Sequence, residues 1–195
     1  MTLKLNGSSS GSVSIDAPAS TTGGADRTIT LPDATGTMAL TSNLCFSSYA
    51  VIQDQKANNT AGGTNTQDSW TTRDLNTEVA DPDGIVSISS NKFTLGAGNY
   101  LVKWKSSFYR VNQCQTRIYD VTNSAVAAVG HHEYFYYPDK VGGAASGIGR
   151  LTPSGSTEYR LEYYNTDSQS GNGLGTAYDN GVIEVFATVE IYKEA

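Results

Sequence analysis

Histidine, cysteine and positive charge are all scarce in this chain, and each scarcity closes off a class of function. There are two histidines in 195 residues. They are adjacent, His131 and His132, and neighbours on a strand point to opposite faces, so one chain cannot chelate a metal with both. Neither lies in a recognisable nucleophile context, which leaves a serine triad without its base. Glycoside hydrolysis needs two carboxylates facing each other across a cleft, and nothing selects such a pair from the 19 acids. The chain is therefore expected not to be an enzyme and to hold no cofactor. Two cysteines, Cys45 and Cys114, are no disulfide framework, and both are expected to be reduced.

Thirteen Lys and Arg against 19 acids give a formal net charge of −6. A nucleic-acid binder normally presents a basic face, and an acidic surface is repelled by anionic membranes. No stretch approaches the roughly 18 apolar residues of a membrane span. Met1 is followed by one Lys and then by polar residues instead of an apolar core, so no export signal is expected. Helical periodicity is also missing from Cys45 onward.

What is present falls into two parts. Residues 1–44 are small and polar, with short alternating runs at Leu3 to Leu5, Val13 to Ile15 and Ile29 to Leu31. A segment this short cannot bury its own core against a backbone entropy cost of about 1–2 kcal/mol per residue. It is either disordered or folded against other copies. The run from Asp26 to Ser42 favours the second, reading as a strand, a Pro-Asp turn, a Gly and a second short strand. Its TITLPDATGTMALTS resembles the attachment segments of bacteriophage tail-fibre and related virion proteins.

Residues 45–195 read as short strands separated by Gly, Ser, Asn and Pro turns. Tyr49 to Gln53 opens the series. Lys56 to Asp68 is a long polar loop, Trp70 to Val79 is irregular and extended, and Asp81-Pro-Asp-Gly84 is a turn. Further strands are expected at 85–88, 92–95, 100–108, 115–121, 125–129, 133–137, 146–151, 158–164 and 182–192. In Tyr100 to Phe108 the large apolar residues alternate with Lys103 and Lys105, so one face is buried and the other wet. In Val182 to Tyr192, Ile183, Val185, Ala187, Val189 and Ile191 form one stripe. Phe186 and Tyr192 fall on the opposite, polar stripe, which suggests that this face meets a partner in places. The class is all-β, a sandwich or jelly roll.

The order GIVSISSNKFTLGAGNYLVKWKSSF, CQTRIYD, GRLTPSGSTEYRLEYYN and NGVIEVFATVEIYK is similar to the globular heads of the complement-component-q and tumour-necrosis-factor superfamily. Phe93, Gly98, Tyr100, Leu161 and Ile183 to Ile191 carry the match. The resemblance implies a ten-strand antiparallel jelly roll that forms a homotrimer. In a trimer, three copies of one histidine near the axis could bind a transition ion, but no further His or nearby Cys supports this.

Two regions offer binding groups. Glu133-Tyr-Phe-Tyr-Tyr137 is densely aromatic, with Tyr134 and Tyr136 on one face and Phe135 and Tyr137 on the other. Tyrosine rings suit saccharide contact, and they equally suit packing in the core and the trimer contact, the favoured use. Tyr164, Asn165 and Asp167 precede the glycine-rich run Gly171 to Gly175, with Tyr178 beyond. That set offers rings, an amide and a carboxylate on a loop, or an ordinary connection between strands. The run is no phosphate cradle, since no helix and no Lys-Ser/Thr follow it. Asp81, Asp83 and Asp120 could contribute to a calcium site, although turn formation explains the first two.

The expected protein is a trimeric virion component made in the host cytoplasm and displayed on the tail or capsid surface. Residues 1–44 would attach it to other virion structural proteins, and the head, 45–195, would recognise a host surface glycan or protein as part of a tail fibre. The competing expectation is a capsid decoration or head-fibre protein with no specific receptor. A signalling ligand of the tumour-necrosis-factor type fits poorly without a leader or an anchor. Neither nucleic acid nor membrane insertion is expected.

Overall fold

The structure is a computed structural model that describes residues 3–6, 10, 12–15, 45–136 and 141–195. The chain divides into two units, Met1–Met38 and Ala39–Ala195. In the first, β1 (Leu3–Asn6) pairs antiparallel with β2 (Ser12–Ile15), Leu5 opposite Val13. The strand–turn–strand expected over 26–42 and the face expected for Tyr137 lie outside the described residues.

In the second unit the strands are β3 (Phe46–Lys56), β4 (Thr71–Thr72), β5 (Thr77–Ala80), β6 (Val86–Ser89), β7 (Lys92–Leu95) and β8 (Tyr100–Tyr109). They continue with β9 (Asn112–Asp120), β10 (Ala125–Phe135), β11 (Gly142–Leu151), β12 (Thr157–Asn165) and β13 (Glu184–Glu194). No helix occurs among the described residues. One antiparallel sheet runs β11–β8–β13–β3–β5 and the other β10–β9–β12–β7–β6, with the two-residue β4 beside β12. Apart from β4, this is the ten-strand antiparallel jelly roll expected from the sequence.

Period-two alternation builds each strand. In β8, Tyr100, Val102, Trp104, Ser106 and Phe108 are buried while Lys103 and Lys105 are exposed. Ile52, Val102, Val189 and Ile191 of one sheet join Phe93, Leu95, Ile118 and Leu161 of the other in a single core. Burying each such side chain is worth roughly 1.5–3 kcal/mol. Trp104 also ties the sheets together by donating its Nε1–H to Thr116 Oγ1 at 2.9 Å. A second cluster, including Phe108, Cys114, Phe135, Tyr163 and Leu174, fills the end of the sandwich beneath the candidate site.

Strands β10 and β13 depart from simple alternation. Residues 125–129 and 133–137, expected as separate strands, form the single β10, which ends at Phe135. Irregularities between Val126 and Ala128 and between Val129 and His132 interrupt its period. β13 starts at Glu184, and a register shift between Val185 and Ala187 breaks the expected stripe. Ile183 and Val185 are therefore exposed, and Phe186 turns inward.

The glycine-rich run is fastened, not open. Leu174 is buried and its N–H donates to Gly63 O at 3.1 Å, while the Gly62 N–H donates to Gly175 O at 2.9 Å. Asp81 receives the N–H groups of Ile85 and Val86, each at 2.9 Å, and so acts as a turn former. Among the described residues no group of three or more His, Cys, Asp or Glu gathers as a metal site would require.

The core also holds an ion pair. Asp54 and Arg73 are both fully buried, with Arg73 Nη2 at 3.4 Å from Asp54 Oδ2 and donating to Leu174 O at 2.8 Å. Lys56 Nζ stands 3.0 Å from Asp54 and 2.7 Å from Asp74. Burial pushes the Arg73 guanidinium down to about 10, against the pull of Asp54. Burial also raises the Asp54 carboxyl, outweighing the opposing effect of Arg73 and Lys56.

Candidate functional site

The outward face of β9 carries Gln113, Gln115, Arg117 and Tyr119, since Cys114, Thr116 and Ile118 between them point into the core. Strand pairing extends the row on both sides. Gln115 lies opposite His132 of β10 and Tyr164 of β12, and Gln113 lies opposite Tyr134. β4 pairs with β12 at Thr71 opposite Tyr163 and Thr72 opposite Glu162. That pairing delivers Trp70 onto the same face, its ring centre 5.6 Å from that of Tyr164 and tilted by 54°.

Behind Trp70 runs a ladder of charge and rings. The Arg117 guanidinium sits 3.9 Å from the Trp70 ring centre, and its Nε donates to Glu162 Oε2 at 2.6 Å. Glu162 is buried, and its second oxygen accepts from Arg160 Nε at 2.7 Å. Both arginines also lie over Tyr119, at 5.1 Å for Arg117 and 4.9 Å for Arg160. The two guanidinium groups share the one carboxylate, and Trp70 is held from behind by a cation–π contact.

In front of Trp70 is a groove of about 170 Å³ lined by Trp70, Tyr164, Gln113, Gln115, His132 and Thr166, with Cys114 at its floor. Gln115 Nε2 donates to Gly130 O at 3.1 Å, which holds the irregular part of β10 against β9. The Gln113 main chain is clasped by Thr166, which accepts the Gln113 N–H on its Oγ1 and donates its own N–H to Gln113 O. Burial, together with the nearby Glu133 carboxylate, pushes the Cys114 thiol up to about 12, so it stays a neutral thiol. With no carboxylate in its lining, the groove can hold a ring and hydrogen-bond it, and it offers no acid–base pair.

The six residues selected from the sequence separate into three places. Tyr164 lines the groove, and Tyr134 extends the same face, 56% exposed, with the Tyr136 ring centre 6.1 Å from its own. Asn165 is fully buried and cannot touch a ligand; its Nδ2 donates to Asp167 O at 3.3 Å. Asp167 is structural in the same way: its carbonyl accepts from Asn65 Nδ2 and its carboxylate from Asn112 Nδ2, each at 2.7 Å. Together they tie the loop before Trp70 to the end of β9 and β12. Tyr178 is 70% exposed in the connection between β12 and β13, where its N–H donates to Glu184.

Trp70, Gln113 and Gln115 are not singled out by the sequence, and His132 is considered there only as a metal ligand at a trimer axis. Alternation in β9 was the available signal for the two glutamines. The two histidines line different grooves. His131 joins Lys103, Trp104 and Ile148 on the other sheet's side, and His132 joins Trp70 and Tyr164.

No family model and no curated protein matches the sequence. Solved structures do match. Eiger TNF from S. frugiperda aligns over 76% of this chain and 92% of its own, at 10% identity and a TM-score of 0.50. Murine APRIL aligns over 75% and 98%, at 8% identity and 0.49. The globular domain of zebrafish complement 1qA aligns over 74% and 95%, at 11% identity and 0.48. At 10% identity the likeness to Eiger TNF shows the fold alone, an antiparallel jelly-roll sandwich.

Proposed function

We propose that this chain is a bacteriophage virion protein, a homotrimeric tail fibre whose jelly-roll head binds a host surface receptor. Residues 1–44 attach it to other virion structural proteins, and the head is displayed on the particle. The observation that carries the receptor role is the groove beside Trp70 and Tyr164, an aromatic and amide surface held rigid by Arg117. The virion assignment rests on the attachment-like run TITLPDATGTMALTS.

Two exposed apolar regions support the trimer. Val126 and Val129 of β10 and Ile148 of β11 lie near one edge of the sandwich, while Phe46 and Tyr49 of β3 adjoin Tyr192 of β13 on the sheet that contains β11. An edge-to-face contact between copies is heterologous and can close into a ring. Three heads on one stem raise avidity, because the second and third contacts are intramolecular, so a shallow groove suffices.

Two measurements test this reading. Light scattering behind size exclusion is expected to give three times the 20.7 kDa subunit, and a monomer would remove the trimer. Excess purified protein is expected to slow phage adsorption to susceptible cells. An unchanged adsorption rate would overturn the receptor role and favour a decoration protein.

A further inference from the structure

We infer that the groove between Trp70 and Tyr164 takes one uncharged pyranose ring of a surface glycan. This rests on the receptor reading above and names the chemistry of its ligand.

Size comes first. At about 170 Å³ the groove is smaller than the roughly 300–1,000 Å³ of sites for drug-sized ligands, so it suits a single ring rather than a folded peptide segment. Shape comes next. Trp70 and Tyr164 meet at 54°, which leaves each ring a face to offer, and the C–H face of a pyranose is the flat apolar surface that packs on such rings.

Polarity narrows the class. The remaining lining is amide, hydroxyl and imidazole, from Gln113, Gln115, Thr166 and His132. Side-chain amides both donate and accept, which matches vicinal sugar hydroxyls. Among the described residues no hydrogen bond engages the Gln113 side-chain amide, and it is exposed beside Tyr134. Charge selects against anions. Arg117 and Arg160, the nearest cations on the face, are both bonded to Glu162 at 2.6 Å, and the chain as a whole carries −6. No Lys or Arg lines the groove itself, so an acidic sugar would find no cation among the residues that contact it.

The site is also pre-organised. Trp70 is fixed by Arg117, and Tyr164 and Gln115 lie in a paired sheet row, so little freedom is lost on binding.

The test is saturation-transfer NMR on the full chain with methyl glycosides of glucose, galactose, mannose, rhamnose and N-acetylglucosamine, with glucuronate as the anionic control. At least one neutral glycoside is expected to bind and to perturb tryptophan emission, since Trp104 is buried and Trp70 lines the groove. Trp70→Ala is expected to weaken binding about tenfold or more. Gln113→Ala, at an exposed position that leaves the fold intact, is expected to weaken it several-fold. No transfer to any neutral glycoside, stronger binding of glucuronate, or unchanged binding in Gln113→Ala and Trp70→Ala would each overturn the inference. Adsorption competition separates the two readings. Competition without glycoside binding leaves the receptor role and removes the pyranose, whereas glycoside binding without competition does the reverse.

Discussion

Arg117 stacks 3.9 Å from the centre of the Trp70 ring while its Nε donates to buried Glu162 at 2.6 Å. One side chain thereby fixes a loop aromatic to the sheet and neutralises a carboxylate beneath it. Local sequence gives no hint of the contact, because Trp70 and Arg117 are brought together only through β12, which pairs with both β4 and β9.

Arg117→Ala removes both contacts and leaves Glu162 with Arg160 alone. Loss of a charge-assisted hydrogen bond at a buried acceptor costs about 1–3 kcal/mol. A urea titration is expected to show destabilisation in that range, with tryptophan emission shifted to the red as Trp70 loosens. An unchanged midpoint and emission would mean that the ladder is ornamental.

Asp54→Ala strikes the other charge pair, and there the whole partner is buried. Arg73 and Asp54 are both inaccessible to solvent, and removing one leaves the other uncompensated at a cost of about 3–5 kcal/mol. The double variant Asp54→Ala/Arg73→Met is expected to be more stable than Asp54→Ala, because no unpaired charge remains inside. Equal denaturation midpoints for the two variants would contradict this.

Cys45 is exposed and Cys114 buried, and neither is in a disulfide. A thiol-specific dye is expected to label one cysteine per chain at once in the native protein and the second only on unfolding. The Cys114 thiol rises from 9.0 in the unfolded chain to about 12 in the fold. A raised folded value favours the neutral form, so the stabilisation is fully present below about pH 9 and is lost as pH climbs from there towards 12. Equal labelling rates for both thiols would show that the end of the sandwich opens.

The fold was legible where alternation runs undisturbed. β7 matches its expected span, Lys92–Leu95, and β8 begins at Tyr100 as expected. Reading failed where the period slips. The irregularities of β10 make its sequence read as two strands, and the shift after Val185 turns Phe186 inward from its expected outward place. Asp54 lies one residue beyond the expected end of the first strand at Gln53, and it continues the inward row of Ala50 and Ile52 as a buried acid. At the site, Tyr164 was legible from its strand, while Asn165 and Asp167 turned out to be struts. Trp70 reaches the groove through a two-residue strand, too short to leave a periodic signal.

A last prediction concerns the packing of β11 on the core. Gly147 lies opposite Trp104 in the β11–β8 pair, and a Cβ at Gly147 would collide with the indole ring. The indole cannot retreat freely, because its Nε1–H is bonded to Thr116 Oγ1 at 2.9 Å in the facing sheet. Gly147→Ala must therefore either displace β11 or break that hydrogen bond. Overpacking of this kind costs about 1–3 kcal/mol, and the lost bond would leave Thr116 buried without its donor. The variant is expected to melt earlier and to show altered near-ultraviolet circular dichroism from Trp104. Thr116→Val removes the same hydrogen bond without crowding the ring, so it should share the spectral change with a smaller loss of stability. If Gly147→Ala melts with the parent and keeps its spectrum, β11 is free to shift, and the edge proposed for the trimer contact is softer than its glycine packing implies.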